Sequence, residues 1–194
     1  MLKVAITGNI ASGKSTVEDL LKDKGYKVLD TDDIAHLLLR QEKIKKLIIS
    51  KFAGLDILQN DELSRPKLGI IVFANEEHRK VLEEILHPLI RDEIKQWFKE
   101  QEKDEKIVFV SVPLLFEAKF ENLFDKIVLI YADDEVRIKR LIQRNDLKEE
   151  MARNRLGLQM SQDKKKPLVG YILFNNGSLD DLACQVKDLE VNLV

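Results

Sequence analysis

The segment that most constrains this chain is a glycine-rich loop between a short apolar run and an amphipathic stretch. The run at residues 2–7 is rich in branched side chains and predicts a buried strand, and residues 15–24 have helical spacing and end at Gly25. The loop fits G-x-x-x-x-G-K-[ST] at every fixed position and consists of Gly8, Asn9, Ile10, Ala11, Ser12, Gly13, Lys14 and Ser15. A strand, such a loop and a helix form a unit that holds phosphate groups.

The spacing within the loop follows from the chemistry of phosphate binding. Gly8 and Gly13 let the backbone turn tightly around an anion, with its N–H groups pointing inward. The helix that follows directs the positive end of its dipole at the same point. Lys14 is expected to reach the β- and γ-phosphates and Ser15 to ligate Mg²⁺. The whole segment, from Gly8 to Thr16, is therefore expected to bind a nucleoside triphosphate.

Strands and helices alternate along the rest of the chain. Apolar runs predict further buried strands at residues 26–29, 107–112, 126–131 and 171–174. Helical patterns cover residues 33–51, 65–102 with a break or kink at His87-Pro88, 134–144, 147–166 and 179–189. This order predicts a three-layer α/β/α fold with a parallel sheet between helices.

We expect a single domain with a core and two helical additions. The core comprises about residues 1–32, 105–145 and 167–194, and the additions comprise about residues 33–102 and 146–166. Neither addition has a following strand of its own. Both are therefore expected to extend from the core as lobes.

Composition excludes several classes of protein. Among 194 residues, 32 are Lys or Arg and 34 are Asp or Glu, so the net charge of −2 gives no reason to expect a nucleic-acid or membrane partner. A single cysteine excludes an intrachain disulfide and a cysteine-rich zinc site. The apolar runs are too short for a membrane span or a signal peptide, so a cytoplasmic protein is expected.

The type of nucleotide-binding protein is narrowed by what the sequence lacks. A GTPase would need D-x-x-G and N-K-x-D motifs, and the sequence contains neither. The apolar run at residues 107–110 leads into Ser111, where many phosphate-loop proteins have a metal-binding Asp. Asp133 is the nearest other candidate, and capping of the next helix explains it more simply. A small-molecule kinase is the leading interpretation.

A kinase must also place an acceptor hydroxyl, and three carboxylates follow the second predicted strand. They are Asp30, Asp32 and Asp33. A right-handed crossover would bring this strand end to the sheet edge that carries the phosphate loop. Thr31 or Asp32 could instead cap the next helix, with Asp33 complementing its dipole. The spacing leaves both readings open and does not choose among the carboxylates.

Several motifs together resemble the dephospho-CoA kinase family, which completes coenzyme A synthesis, and they span nearly the whole chain. Besides the loop, the motifs are Val28-Leu29-Asp30-Thr31-Asp32, Leu82-Glu83-Glu84-Ile85-Leu86-His87-Pro88-Leu89-Ile90, Pro113-Leu114-Leu115-Phe116-Glu117, Arg140-Leu141-Ile142-Gln143-Arg144, Arg155-Leu156-Gly157-Leu158-Gln159 and Asn175-Asn176-Gly177. The phosphate loop occurs in many families. The ordered series of the other motifs is far more selective.

The resemblance implies transfer of the γ-phosphoryl group of ATP to the ribose 3′-hydroxyl of dephospho-CoA. Asp32 matches the family's general base, which would accept the proton of the 3′-hydroxyl or orient that hydroxyl. Lys14 and Mg²⁺ would offset the negative charge that develops on the phosphoryl group. The family also has a phosphate-loop kinase core, a helical CoA-binding lobe and a lid. These would correspond to the core and the two helical additions predicted above.

The resemblance also implies roles for residues whose spacing alone is uninformative. Acceptor binding would involve Arg65, His87, Leu114 and Glu117. Nucleotide binding would involve Arg140, Arg144 and Asn175. Each has a structural alternative: a solvated helix start, a helix break, a strand end, a charged helix face or a turn.

The sequence departs from the family pattern at some positions, and two alternative functions remain. Asn9 and Ala11 stand where the family commonly has glycine, which reduces backbone freedom in the loop. A kinase for another small acceptor, such as a nucleoside monophosphate, would need the same loop. A regulatory nucleotide-binding module would need the loop but would have no use for Asp32.

Overall fold

Five parallel strands form the central sheet, in the order Lys27–Asp30, Ile107–Ser111, Leu2–Thr7, Lys126–Tyr131 and Tyr171–Phe174. The computed structural model describes residues 1–193. The strands are β1 (Leu2–Thr7), β2 (Lys27–Asp30), β3 (Leu58–Gln59), β4 (Glu62–Leu63), β5 (Ile107–Ser111), β6 (Lys126–Tyr131) and β7 (Tyr171–Phe174). The helices are α1 (Lys14–Asp23), α2 (Thr31–Leu38), α3 (Glu42–Lys51), α4 (Arg65–Ala74), α5 (Glu76–Gln101), α6 (Asp134–Asn145), α7 (Glu149–Leu156), α8 (Gln162–Lys165) and α9 (Leu179–Leu193).

Strand β1 lies at the centre of the sheet, and its side chains belong to the hydrophobic core. Its residues Val4 and Ile6 are fully buried and belong to one cluster with Val17 of α1 and Val186 of α9. Because strands in a parallel sheet covered by helices are buried on both faces, they read as continuous apolar runs. Because β1, β2 and β5 are parallel, their carboxyl ends lie at one edge of the sheet, where the phosphate loop begins.

The chain divides into two compact units. One comprises Met1–Thr31 together with the chain from Phe98 onward and contains the five-stranded sheet. The other, Asp32–Trp97, contains helices and the β3–β4 hairpin, in which Leu58 pairs with Leu63. Asn60 and Asp61 form the hairpin turn with φ of 53° and 63°, a conformation that Asn and Asp tolerate better than most residues.

The three-layer fold and the five strands of its parallel sheet agree with the predictions from sequence. The β3–β4 hairpin was not predicted, and three helical stretches are divided differently. The chain leaves helical conformation between α2 and α3, and again between α7 and α8. At Asn75 a new helix begins because the side-chain oxygen accepts hydrogen bonds from the N–H groups of Glu77 and His78, at 2.8 and 3.0 Å. Of the predicted break or kink at Pro88, the break is wrong, since Pro88 lies inside α5, and the kink stays a prediction.

Within residues 1–193, none of the helices is long and apolar enough to cross a membrane. The cytoplasmic location stays a prediction from sequence.

Candidate active site

The phosphate loop joins β1 to α1, and its glycines are required by close approaches. A side chain at Gly8 would meet Ser12 Oγ at 2.5 Å and the carbonyl oxygen of Ile130 at 2.9 Å. Gly13 has φ of 94°, and a Cβ there would lie 2.0 Å from Nδ2 of Asn175. Ala11 adopts φ of 61°, which costs an alanine roughly 1–2 kcal/mol. The loop therefore keeps the turn that phosphate binding needs despite the departure at Ala11.

Helix α1 presents unpaired donors to the loop. Its first hydrogen bond runs from the Val17 N–H to the Gly13 carbonyl, at 3.3 Å. The N–H groups of the preceding residues, including Lys14 and Ser15, consequently have no acceptor within the helix. Ser15 is exposed in this first turn. A hydroxyl at this point suits Mg²⁺, which takes oxygen ligands and retains several waters.

Lys14 contacts a buried carboxylate that the analysis of the sequence did not identify. Its Nζ lies 2.7 Å from Oε1 of Glu18, and Ser111 Oγ donates a hydrogen bond to the same oxygen at 2.6 Å. Lys14 Nζ also contacts Ser111 Oγ. Glu18 is 4% exposed and Ser111 is fully buried. The spacing of four between Lys14 and Glu18 on one helix was the available signal, because such residues share a helix face.

Asn175 and Arg140 support the loop from the side of β7. Asn175 Nδ2 donates to the Ser12 carbonyl at 2.8 Å, while Arg140 Nη2 donates to the Asn175 carbonyl at 2.9 Å. Arg140 Nη1 lies 3.5 Å from the Ala11 carbonyl. The structure therefore brings both predicted residues to the loop, where they contact its backbone carbonyls.

We predict that Asn175→Ala weakens ATP binding by about tenfold without unfolding the protein. The variant removes a buried hydrogen bond to Ser12, and losing such a bond with its acceptor left buried costs about 1–3 kcal/mol. Titration with a non-hydrolysable ATP analogue measures the effect. Asn192→Ala, at an exposed site on α9, is the matched control and should bind like the wild type. Equal affinities for the two variants would contradict a supporting role for Asn175.

Arg144 and a neighbouring arginine on α6 are placed differently. Arg144 is exposed and donates to Oδ1 of Asn145 at 3.1 Å. Arg137, which the sequence did not single out, is 3% exposed and pairs with Asp134 at 2.7 Å. Its Nη1 lies 3.5 Å from the carbonyl of Ile10 in the loop. Arg137 lies three residues before Arg140 on α6, so the two side chains share one helix face. That spacing was the signal available in the sequence.

The segment between α7 and α8 contacts the phosphate loop directly. Asn9 Nδ2 donates to the Met160 carbonyl at 2.8 Å, and the Ile10 N–H donates to Oε1 of Gln159 at 2.8 Å. Asn9 thus uses its side chain for a contact that glycine could not make. This region lies within the stretch that the resemblance identifies as a lid.

Glu117 and Leu114 follow β5. Oε1 of Glu117 accepts a hydrogen bond from the Met160 N–H at 3.0 Å and lies 3.0 Å from Nζ of Lys165, whose side chain is fully buried. Burial lowers the pKa of Lys165, and the charge of Glu117 partly offsets this effect. The Leu114 carbonyl accepts from the Ala118 N–H at 2.9 Å, within a turn. Their predicted acceptor contacts stay predictions.

The three carboxylates lie where β2 passes into α2. Asp30 ends β2 and pairs in register with Ser111 of β5. Thr31 begins α2 and donates through Oγ1 to the Ser111 carbonyl at 2.9 Å, so this hydroxyl is used against the sheet. Asp32 is exposed in the first turn of α2. The alternative in which Thr31 or Asp32 caps this helix does not fit its bounds, because α2 begins at Thr31 and includes both residues.

Two predicted acceptor residues belong to the helical unit Asp32–Trp97. Arg65 is exposed at the start of α4 and lines a groove with His36 and Leu39 of this unit. His87 is partly buried on α5. Burial lowers its pKa below the usual 6.5, and the charge of Glu83 opposes that shift.

Because the pKa of His87 is lowered by folding, the unfolded chain binds the proton more readily. The resulting stability is complete above pH 6.5 and is lost as the pH falls through the folded-state pKa. We therefore predict that the urea midpoint falls less between about pH 7.5 and pH 5 in His87→Gln than in the wild type. His36→Gln, which changes an exposed histidine of the same unit, should keep the wild-type pH dependence. Identical pH dependence in His87→Gln and the wild type would contradict the prediction.

Comparison with known proteins places this architecture in one family. Residues 2–181 match the family profile described as dephospho-CoA kinase. The dephospho-CoA kinase of Helicobacter pylori is 42% identical over 95% of this chain and 93% of that protein. The structure of a dephospho-CoA kinase from Campylobacter jejuni is 33% identical, covers 98% of this chain and 96% of that chain, and has a TM-score of 0.73.

A Thermus thermophilus protein of known structure is also 33% identical, with a TM-score of 0.86 over 100% of this chain and 98% of that chain. The sequence and fold similarities extend over the phosphate loop, the sheet and the helical unit. They agree with the ordered motifs found in the sequence. This chain belongs to the dephospho-CoA kinase family.

Proposed function

We propose that this protein transfers the γ-phosphoryl group of ATP to the ribose 3′-hydroxyl of dephospho-CoA and releases ADP and coenzyme A. The observation that carries this proposal is membership of the dephospho-CoA kinase family over residues 2–181, with every fixed position of the phosphate loop present. The left-handed backbone at Gly13 and the open N-terminus of α1 support triphosphate binding by this loop.

In the proposed reaction, the 3′-oxygen forms a bond to the γ-phosphorus while the bond to the β,γ-bridging oxygen breaks. Asp32 accepts the proton of the hydroxyl or holds that hydroxyl in line, as its place two residues after the β2 strand end and its exposure allow. Lys14 offsets negative charge on the phosphoryl oxygens. Loop N–H groups bind the β-phosphate and orient the chain of phosphates.

Ser15 is the residue that we propose as the protein ligand of Mg²⁺. The exposed hydroxyl in the first turn of α1 has the required oxygen chemistry. When bound, the ion neutralises charge on the β- and γ-phosphate oxygens. Among residues 1–193, no cluster of three or more His, Cys, Asp or Glu side chains offers a fuller cage.

The remaining residues are assigned by their positions. We propose that the helical unit supplies the CoA lobe with Arg65 and His87, that Leu114 and Glu117 lie on the acceptor side of the core, and that about residues 146–166 form the lid. Arg140, Arg144 and Asn175 would serve the nucleotide, with Arg140 and Asn175 acting through the loop carbonyls that they contact. A lid that excludes water would favour transfer to the acceptor over hydrolysis of ATP.

Coupled measurement of ADP release tests the proposed acceptor. The enzyme with ATP and Mg²⁺ should turn over with dephospho-CoA, and nucleoside monophosphates and small alcohols should give only the rate found without acceptor. A comparable rate with a nucleoside monophosphate would overturn the acceptor assignment. ATP binding with no turnover on any acceptor would instead favour a regulatory module.

A further inference from the structure

Glu18 is a buried carboxylate beside the phosphate loop that the mechanism above does not use. It is held by Lys14 Nζ at 2.7 Å and by the Ser111 hydroxyl at 2.6 Å. The side chains of Glu18 and Lys14 are 5% and 14% exposed, so the pair is largely removed from solvent. A fully exposed pair of this kind would contribute little, but a buried carboxylate depends on its partner.

Glu18 and bound phosphates would draw on the same ammonium group. Lys14 is the residue expected to reach the β- and γ-phosphates, and its ammonium group lies 2.7 Å from Oε1 of Glu18. Glu18 therefore competes with the phosphates for Lys14. If Lys14 moves to the phosphates, Glu18 keeps the hydrogen bond from Ser111 but loses its cation. A buried carboxylate without a cation is costly, and a second positive group in place of Lys14 would remove that cost.

The position of Ser111 indicates which positive group this is. Ser111 ends β5 beside β1, where phosphate-loop proteins commonly have the Asp that holds Mg²⁺. In this chain the strand end carries a hydroxyl, and the carboxylate that contacts it comes from α1. Glu18 also lies three residues after Ser15, so the proposed Mg²⁺ ligand and this carboxylate are neighbours along one helix.

We propose that Glu18, held by Ser111, is a positioning residue that pairs with Lys14 before nucleotide binding and with the hydrated Mg²⁺ of MgATP afterwards. In this role it replaces the carboxylate that the end of β5 lacks. The proposal rests on the proposed kinase function for its use of MgATP, but it does not depend on the acceptor.

The test is the affinity for a non-hydrolysable ATP analogue, measured by titration with excess Mg²⁺ and again with a chelator, in the absence of acceptor. In the wild type, Mg²⁺ should tighten binding by at least about fivefold, a typical coupling between two ligands. Glu18→Gln should bind the metal-free analogue more tightly, by about tenfold, because Lys14 is released for the phosphates. The same variant should lose most of the tightening by Mg²⁺. A residue needed only for packing would weaken binding under both conditions.

Two further variants make the result specific to the carboxylate. Asp19→Asn changes an exposed carboxylate on the same helix and should behave like the wild type. In the double variant Glu18→Gln/Ser111→Asp, a carboxylate returns from the strand side, and both affinities should move back toward the wild type. If Glu18→Gln folds poorly, the affinities of the double variant are compared directly with those of the wild type.

The proposal is overturned if Glu18→Gln leaves the metal-free affinity and the Mg²⁺ effect unchanged, or if the double variant moves neither value back. Because neither titration contains dephospho-CoA, these outcomes are distinguishable from failure of the proposed acceptor. That failure would appear only in the ADP-release assay.

Discussion

Asp32→Asn is expected to lower kcat with dephospho-CoA by at least about 100-fold, in line with the contribution of a general base. The amide keeps the size of the side chain but cannot accept the hydroxyl proton. ATP affinity should stay close to that of the wild type, because Asp32 lies outside the phosphate loop. Steady-state ADP release gives kcat, and titration with a non-hydrolysable ATP analogue gives the affinity.

Asp33→Asn is the matched control for this prediction. Both carboxylates lie in the first turn of α2 and complement the same helix dipole, which contributes about 0.3–1 kcal/mol at exposed positions. A purely helix-stabilising role would give two similar variants with small losses of stability and nearly full activity. That result would contradict the assignment of Asp32 to the reaction.

Gly13→Ala is expected to abolish measurable nucleotide binding and turnover. The new Cβ would stand 2.0 Å from Asn175 Nδ2, and φ of 94° disfavours any side chain. Relief requires displacement of the Asn175 side chain, which would break its 2.8 Å hydrogen bond to the Ser12 carbonyl. Because the N–H groups of this loop must converge on one phosphate, its distortion removes the site. Binding of the ATP analogue and ADP release together measure the effect.

Gly25→Ala separates backbone strain from the steric clash. Gly25 has a similar φ of 90°, but nothing lies within 4 Å of a Cβ built there. This variant should lose roughly 1–2 kcal/mol of stability through the left-handed conformation and keep normal kcat and ATP affinity. Wild-type nucleotide binding in Gly13→Ala would show that the loop tolerates a side chain and would contradict the described geometry.

The sequence predicted the sheet well because its signals are local. A buried parallel strand is a continuous apolar run, and the phosphate loop has fixed glycines at a fixed spacing. The helical unit was harder, because the end of a helix often depends on one side chain. Asn75 starts α5 because its side-chain oxygen accepts hydrogen bonds from the N–H groups of Glu77 and His78, and Pro88 is tolerated inside that helix.

The candidate site was predictable where one residue type is required by chemistry, as at Lys14 and Ser15. It was not predictable where the contact joins distant parts of the chain. Glu18 meets Ser111 across 93 positions, and Asn175 meets Ser12 across 163. No local pattern encodes such partners, since they become neighbours only when the strands take their order in the sheet.

The central claim is that the 3′-hydroxyl of dephospho-CoA receives the phosphoryl group. The most direct measurement compares ADP release with dephospho-CoA and with its 3′-deoxy analogue, together with the position of the new phosphate by mass spectrometry. We predict one ADP per dephospho-CoA consumed, a phosphate on the 3′-oxygen, and no acceptor-dependent ADP release with the analogue. Equal rates on the two compounds, or a phosphate elsewhere on the product, would contradict the account.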